Sequence, residues 1–466
     1  MKNILLFAFL CLQTSLFAQW KAFTPALKDT VGSFDLRIAQ GNNQVAWCVA
    51  MKYNISASAY EWVAMDSLVF AKTADGGDTW TGGTIPMGPE PYASNICPIS
   101  NEVAWASGVD ANFTSYVVHT ADGGKTWARQ LADGFSESSS YIDFVHFWDT
   151  QHGLAVGDPA PSATDPAPFY EIYTTSDGGQ TWARIPTADI PPPLANEFGS
   201  AGQYQVRGDY VWFLTIDVST FATKRLFRSK NRGKTWEVLS DADDRFVFFN
   251  FADTLHGIGA KRISATEVGI IYTEDGGDTW VDLPNLQVAG PGAAWTLVPE
   301  SNYILTVRRT SNIAGPFRTL LSKDLGQTWM EISSGTGENV GNAAFDSPTV
   351  GYGGELQPAD HPTRMYKYAG DPLTGLLQAK QLDAEFSVLP NPSADFISAN
   401  VKSSQKTDFL LLLNDSQGRL IERIRVPEGS NFSKTFDLRG LPAGVYNLTL
   451  SSSAGHLTRS FVKNAH

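Results

Sequence analysis

The 466-residue chain is short of cysteine, histidine and positive charge, and each shortage closes a class of function. Three cysteines cannot build a disulfide scaffold. Cys11 lies in the first apolar run, which leaves Cys48 and Cys97 to be either one disulfide or two buried thiols. The 7 histidines never stand as His-x-His or His-Glu-x-x-His, and there is no Gly-x-Ser-x-Gly elbow or phosphate-cradling glycine loop, so no metal, cofactor or nucleophile site is assigned. His152 and His256 recur at matching turns, which gives them a structural reading. With 35 Lys and Arg against 48 Asp and Glu, the net charge of −13 repels phosphate backbones, and nucleic acid is excluded as a partner. Beyond the leader no apolar run approaches the length of a membrane span, so no transmembrane segment is expected in the mature chain.

What is present is apolar and aromatic side chain, 42% and 12% of the residues, enough for a large core and more than one domain. The opening "MKNILLFAFLCLQTSLFAQ" has a lone Lys2, an apolar run from Ile4 to Leu12 and a small residue, Ala18. That pattern predicts a cleaved signal peptide over 1–18 and an exported protein, secreted or attached to the outer cell surface.

One octamer then returns six times: "TADGGDTW" ending at Trp80, "TADGGKTW" at Trp127, "TSDGGQTW" at Trp182, "SKNRGKTW" at Trp236, "TEDGGDTW" at Trp280 and "SKDLGQTW" at Trp329. The gaps between these tryptophans, 47, 55, 54, 44 and 49 residues, suit one four-stranded antiparallel sheet per repeat. In the first copy Gly76 and Gly77 supply positive φ for a tight turn, the Asp75 carboxylate accepts amides within it, and Trp80 opens the next strand over the apolar layer. The corresponding residues are Asp122, Gly124 and Trp127; Asp177, Gly179 and Trp182; Asn231, Gly233 and Trp236; Asp275, Gly277 and Trp280; Asp324, Gly326 and Trp329.

A second echo, in segments such as "VAWCVAM" from Val45 and "YVWFLTI" from Tyr210, occurs seven times, and the seventh unit lacks a Trp-led last strand. "WKAF", Trp20–Phe23, matches that missing strand. Pairing it with Tyr366–Tyr368 would close a ring and remove an exposed edge. The fold class expected is therefore all-β: a seven-bladed β-propeller over 19–371, closed by the N-terminal strand, then a linker at 372–384 and a small immunoglobulin-like β-sandwich over 385–466.

The octamer resembles the Asp-box, or bacterial neuraminidase repeat, of sialidases, sortilin-type receptors and photosystem II stability/assembly factor-like propellers. The resemblance implies a propeller and a peripheral, structural role for the box residues. It implies little about activity. "RIP" at Arg184–Pro186 imitates the sialidase arginine motif but follows the third box instead of preceding the first, and no arginine triad with a Tyr/Glu nucleophile pair can be assigned.

Box turns and short first turns such as "DTQHG" at Asp149 leave on one face. Long connections such as "GDPAPSATDPAPF" from Gly157 and "IPTADIPPPLANEFGS" from Ile185 leave on the other, where a ligand is expected at the channel mouth. Asp110, Asp158, Asp217, Arg262, Arg309 and Glu355 follow second strands toward that mouth and are the candidate ligand-binding residues, with ordinary solvated strand ends as the plain reading. No catalytic residue is assigned. The chain reads as a binding or interaction module for a glycan or protein, with a polysaccharide-acting glycoside hydrolase or lyase, and an assembly factor for an extracytoplasmic complex, as alternatives.

From Glu385 onward the net charge is +2, against −16 for the part between leader and boundary. Short strands separated by turn residues follow. The order "LPNPS", "NDSQGRLI", "LRGLPAGVYNLTL", "RSFVK" resembles the C-terminal sorting domain of type IX secretion cargo in Bacteroidota. The resemblance implies that the type IX machinery is a partner.

Overall fold

The computed structural model describes residues 20–464 apart from 28–30, 56–59, 64, 132–133, 136–139, 161–166, 221, 240–245, 263–266, 283–287, 290–291, 300, 302, 310–316, 324, 327, 333–339, 356–361, 371–372, 374–383, 416–419 and 453–454. The expected signal peptide, most of the expected linker and Asp324 lie outside the described residues. The chain divides into two compact units, Met1–Gly375 and Leu376–His466.

Strand follows strand in the first unit, and consecutive strands pair antiparallel into sheets. The first sheet is Gly32–Ile38, Ala46–Met51, Leu68–Thr73 and Thr81–Ile85. The second to sixth sheets begin with Tyr92–Pro98, Ile142–Phe147, Glu197–Arg207, Phe246–Phe251 and Gly292–Leu297, each followed by three more strands in chain order, and Val288–Ala289 adds a fifth strand to the fifth sheet. Val340–Ser347, Val350–Glu355 and Met365–Tyr368 form a seventh sheet whose last strand comes from the other end of the unit. That strand is Trp20–Phe23, with Trp20 opposite Tyr368 and Phe23 opposite Met365. The first strand of each sheet packs against the first strand of the next, and that of the seventh against that of the first. Among the described residues no helix is long and apolar enough to cross a membrane.

The second strands explain why the sheets must stack. Ala46–Met51 is buried at every position, because neighbouring sheets cover both faces, and its sequence AWCVAM accordingly shows no apolar–polar alternation. The octamer turns lock the joint between sheets. In the first, Thr73 Oγ1 donates to Asp75 Oδ1 at 2.9 Å, the Gly77 amide donates to Thr73 Oγ1 at 2.9 Å, and the Thr79 amide and hydroxyl donate to the Asp75 carboxylate at 2.9 and 2.6 Å. The same bonds recur around Asp122, Asp177 and Asp275, and Asn231 replaces the carboxylate in the fourth copy. Gly124, at φ +84°, sits against the preceding sheet so closely that a Cβ would come within 2.4 Å of the Phe70 ring. Trp127 meets Trp47 and Phe70 of that sheet edge to face. Cys48 and Cys97 are free thiols, both buried, and burial pushes each up to about 12.

In the second unit Phe396–Asp415 is one long strand. Its first half pairs with Ala384–Leu389 and its second with Gly444–Ser452, while Leu420–Asp437 follows it on the other side and Gly455–Lys463 extends the sheet beyond Gly444–Ser452. Register shifts between Lys402 and Phe409 mark the place where the sequence reads as two short strands. Phe386, Ile397, Phe409, Leu411, Phe436, Leu448 and Phe461 form its core.

Trp20 is 2% exposed and meets Phe345 and Tyr368 edge to face. Trp20→Ala should therefore cost about 3–5 kcal/mol in urea unfolding of the mature protein, through lost packing and a frayed closing strand. A loss below about 1 kcal/mol would mean that the strand is not what holds the seventh sheet shut.

Candidate functional site

In the first unit, the first strands of the seven sheets described above face a central cavity of about 620 Å³. Each of the seven first strands slips register near its start, at Ser33/Asp35, Ala93/Asn95, Ile142/Phe144, Gly199/Tyr204, Phe246/Phe248, Gly292/Ala294 and Val340/Asn342, and the last of them slips again at Phe345/Ser347. Bulges add twist and re-aim side chains. Here polar side chains reach across to the next sheet. The Ile96 amide donates to Asp35 Oδ2 at 3.0 Å, and Asn95 takes the Val145 amide at 2.9 Å and donates to its carbonyl at 2.8 Å. Asp158 takes the Gly199 amide at 2.8 Å, Gln205 bonds both backbone groups of Phe251, and Asn250 takes the Leu297 amide at 2.9 Å. Thr296 donates to the Ala343 carbonyl at 3.1 Å, and Asn342 donates to the Phe34 carbonyl at 3.4 Å, which completes the circuit.

The bulge of the fourth sheet is the largest and enters the channel. Gly202, at φ +73°, lies so near the second sheet that a Cβ would stand 2.9 Å from the Ser94 carbonyl oxygen. Arg37 of the first sheet reaches this bulge: its guanidinium donates to Asp35 at 2.8 Å, to the Gly202 carbonyl at 3.4 Å, and lies 4.4 Å from the centre of the Tyr204 ring. Tyr204 is stacked on Phe144 from behind, with ring centroids 4.1 Å apart. Burial opposes the charge on Arg37, but the adjacent Asp35 carboxylate overrides it and holds the guanidinium above its ordinary value. The lining residues come from the later halves of the first strands and the short turns after them, such as Gln40, Gly208, Asp253 and Asp346. The cavity therefore lies toward the octamer-turn end of the strands and away from the long connections.

Of the candidate residues whose side chains are described, Asp110, Asp158, Asp217 and Glu355, none lines this cavity. Asp110 is 2% exposed and accepts the Asn112 and Thr114 amides at 2.9 Å each, so it shapes the turn that carries exposed Phe113. Asp217 holds Ser219 and Lys224 of its own hairpin, whose hydrogen bonds keep its carboxyl well below the usual range. Glu355 is fully buried and accepts the Arg364 amide at 3.0 Å. Arg262 and Arg309 end the strands Gly257–Arg262 and Ile304–Arg309. Asp158 is 5% exposed and stands at the joint between the third and fourth sheets with Asp143, 4% exposed, whose Oδ2 has no hydrogen-bond partner among the described residues.

Sequence reasoning missed Asp35, Arg37, Asn95, Gln205, Arg207 and Asn342. Their signal was a polar residue interrupting an apolar first strand, as in "GSFDLRI" and "YASNICP".

Residues 387–464 match the family model of the secretion system C-terminal sorting domain. YCF48 from Cyanidioschyzon merolae is similar to the chain at 14% identity and a TM-score of 0.50, over 75% of this chain and 99% of that one. YCF48 bound to D1 peptide is similar at 15% identity and a TM-score of 0.49, over 76% and 97%. A mutant of Trypanosoma rangeli sialidase displaying trans-sialidase activity is similar at 8% identity and a TM-score of 0.41, over 95% and 88%. No curated protein matches. The first unit is a β-propeller. At these identities the likeness speaks to the fold alone, while the sorting domain marks the propeller for export by type IX secretion, to the cell surface or the medium.

Burial pushes the Asp158 carboxyl up to about 8, and it pushes Asp143 well above the carboxylate range, helped by Asp158 itself. The folded propeller thus holds protons that the unfolded chain releases near pH 4, and stability falls as pH rises from there toward 8. Asp143→Asn should flatten that decline, and at pH 8 the variant should be more stable than the parent by about 1–3 kcal/mol in denaturant melts. Parallel pH profiles for the two proteins would remove the pair from this account.

Proposed function

We propose that the chain is a seven-bladed β-propeller over 19–371, closed by its N-terminal strand and joined through 372–384 to an immunoglobulin-like sorting domain over 385–466. After loss of 1–18 and passage by the type IX route it acts outside the cell as a binding module. The observation that carries the reading is the channel cavity of about 620 Å³, within the roughly 300–1,000 Å³ usual for small-ligand sites. Ligand enters from the octamer-turn face.

Binding fits the chemistry of the cavity better than turnover does. Cys97 and His146 stand 3.7 Å apart, sulfur to Nδ1, which is the pairing a thiol nucleophile would use. Burial lifts the thiol to about 12 and brings the imidazole down to about 3, so both stay neutral through the physiological range and no thiolate–imidazolium pair forms. Asp35 is spent on Arg37 and the Ile96 amide.

A glycan array read beside a glycosidase and lyase screen of the secreted protein should give saturable binding without product. Released sugar at a catalytic rate would replace this reading with the hydrolase or lyase one. For the export half, removal of 387–464 should leave the propeller in the periplasm, detected by fractionation, and unchanged surface delivery of that truncation would refute it.

A further inference from the structure

The cavity is lined by two guanidinium groups, Arg37 and Arg207, and by the carboxylates of Asp35, Asp253 and Asp346, of which Asp35 is ion-paired with a guanidinium. Arg37 has Asp35. Arg207, from the same strand as Tyr204, donates through Nε to the carbonyls of Phe251 and Ala252 at 2.9 and 3.1 Å and through Nη1 to that of Val206 at 3.2 Å, and it forms no ion pair among the described residues. Burial, and then the like charge of Arg37, bring the Arg207 guanidinium down to about 10. Both guanidinium groups line the one cavity. Asp253 and Asp346 also act on Arg207, but both belong to the rim. Asp253 is bonded to the Leu255 and His256 amides and the His256 ring, and Asp346 accepts from Asn43.

Building on the channel as the ligand site, we propose that it takes a carboxylated saccharide, its acid group held between Arg37 and Arg207 and its hydroxyls met by the polar rim. A guanidinium with spare planar donors is the group best matched to a carboxylate. The remaining lining suits hydroxyls: Gln40 and Gln203 offer donors and acceptors, and Asp253 and Asp346 offer acceptors. A peptide strand is the poorer occupant. Strand addition needs a free backbone edge, and backbone groups of these first strands are already taken by Asp35, Asn95, Gln205, Asn250, Thr296 and Asn342.

The test is calorimetric titration of the secreted protein with trigalacturonate, with its carboxyl-reduced trisaccharide, and with a short peptide bearing a free C-terminal carboxylate. Trigalacturonate should bind about tenfold or more tightly than the reduced sugar. Arg207→Gln should erase that difference. Arg207→Lys, which keeps the charge and a donor toward Phe251, should fold with a parental melting curve and retain part of the preference. Equal affinity for acid and reduced sugars would overturn the carboxylate assignment while leaving a glycan-binding channel. Tighter binding of the peptide would overturn the saccharide assignment while leaving a binding module. Binding of neither sugar would overturn the proposal, and the wider reading would then stand or fall on its own array.

Discussion

The first unit depends on how its innermost strands dispose of their backbone. Each is an edge strand, and an edge turned toward a narrow channel has neither a further strand nor bulk water to pair with, at about 1–3 kcal/mol for each orphaned group. The protein answers with side chains. Asp35, Asn95, Gln205, Asn250, Thr296 and Asn342 each bond the backbone of the following sheet, and Asp158 does so from the neighbouring strand where the third sheet meets the fourth. The bonds run in one direction around the ring, so each sheet is held by the one before it. Loss of one tie leaves an unsatisfied group on two sheets at once.

The outer part of this architecture is legible in the sequence because it is built from local chemistry. An octamer whose carboxylate closes its own turn needs no distant partner to form, and so it repeats almost unchanged wherever a sheet needs a third-to-fourth turn. Trp20 was legible for a different reason: it carries the tryptophan-led pattern of a fourth strand without the three strands that should precede it, and the seventh sheet has the complementary gap.

The inner ring was illegible for the converse reason. Asp35 and Asn95 have partners about 50 to 60 residues away, and their position is set by a bulge that breaks the alternation from which facing is read. Charges at the ends of second strands drew attention because they look unpartnered in one dimension. In three dimensions Asp110 and Asp217 are partnered by residues two to seven positions further along, and Glu355 by Arg364, just ahead of its own next strand. A short polar side chain just after a strand is more often the start of a turn than the wall of a site.

The same ties decide where a ligand is able to go. The fourth sheet's first strand is eleven residues long, and its bulge crosses toward Ser94 and meets Arg37 stacked on Tyr204. That layer closes the channel part-way, which gives the cavity a floor and leaves it open at the octamer-turn end. The described octamer turns are each closed by their own side-chain hydrogen bonds, so the rim stands beside firmly held turns. Recognition there must come from fixed side chains meeting a ligand of the right shape, because neither long loops nor free strand edges are available to adapt to it. A rigid rim over a charged floor favours small polar ligands with a defined anionic point and disfavours extended chains that rely on their backbone.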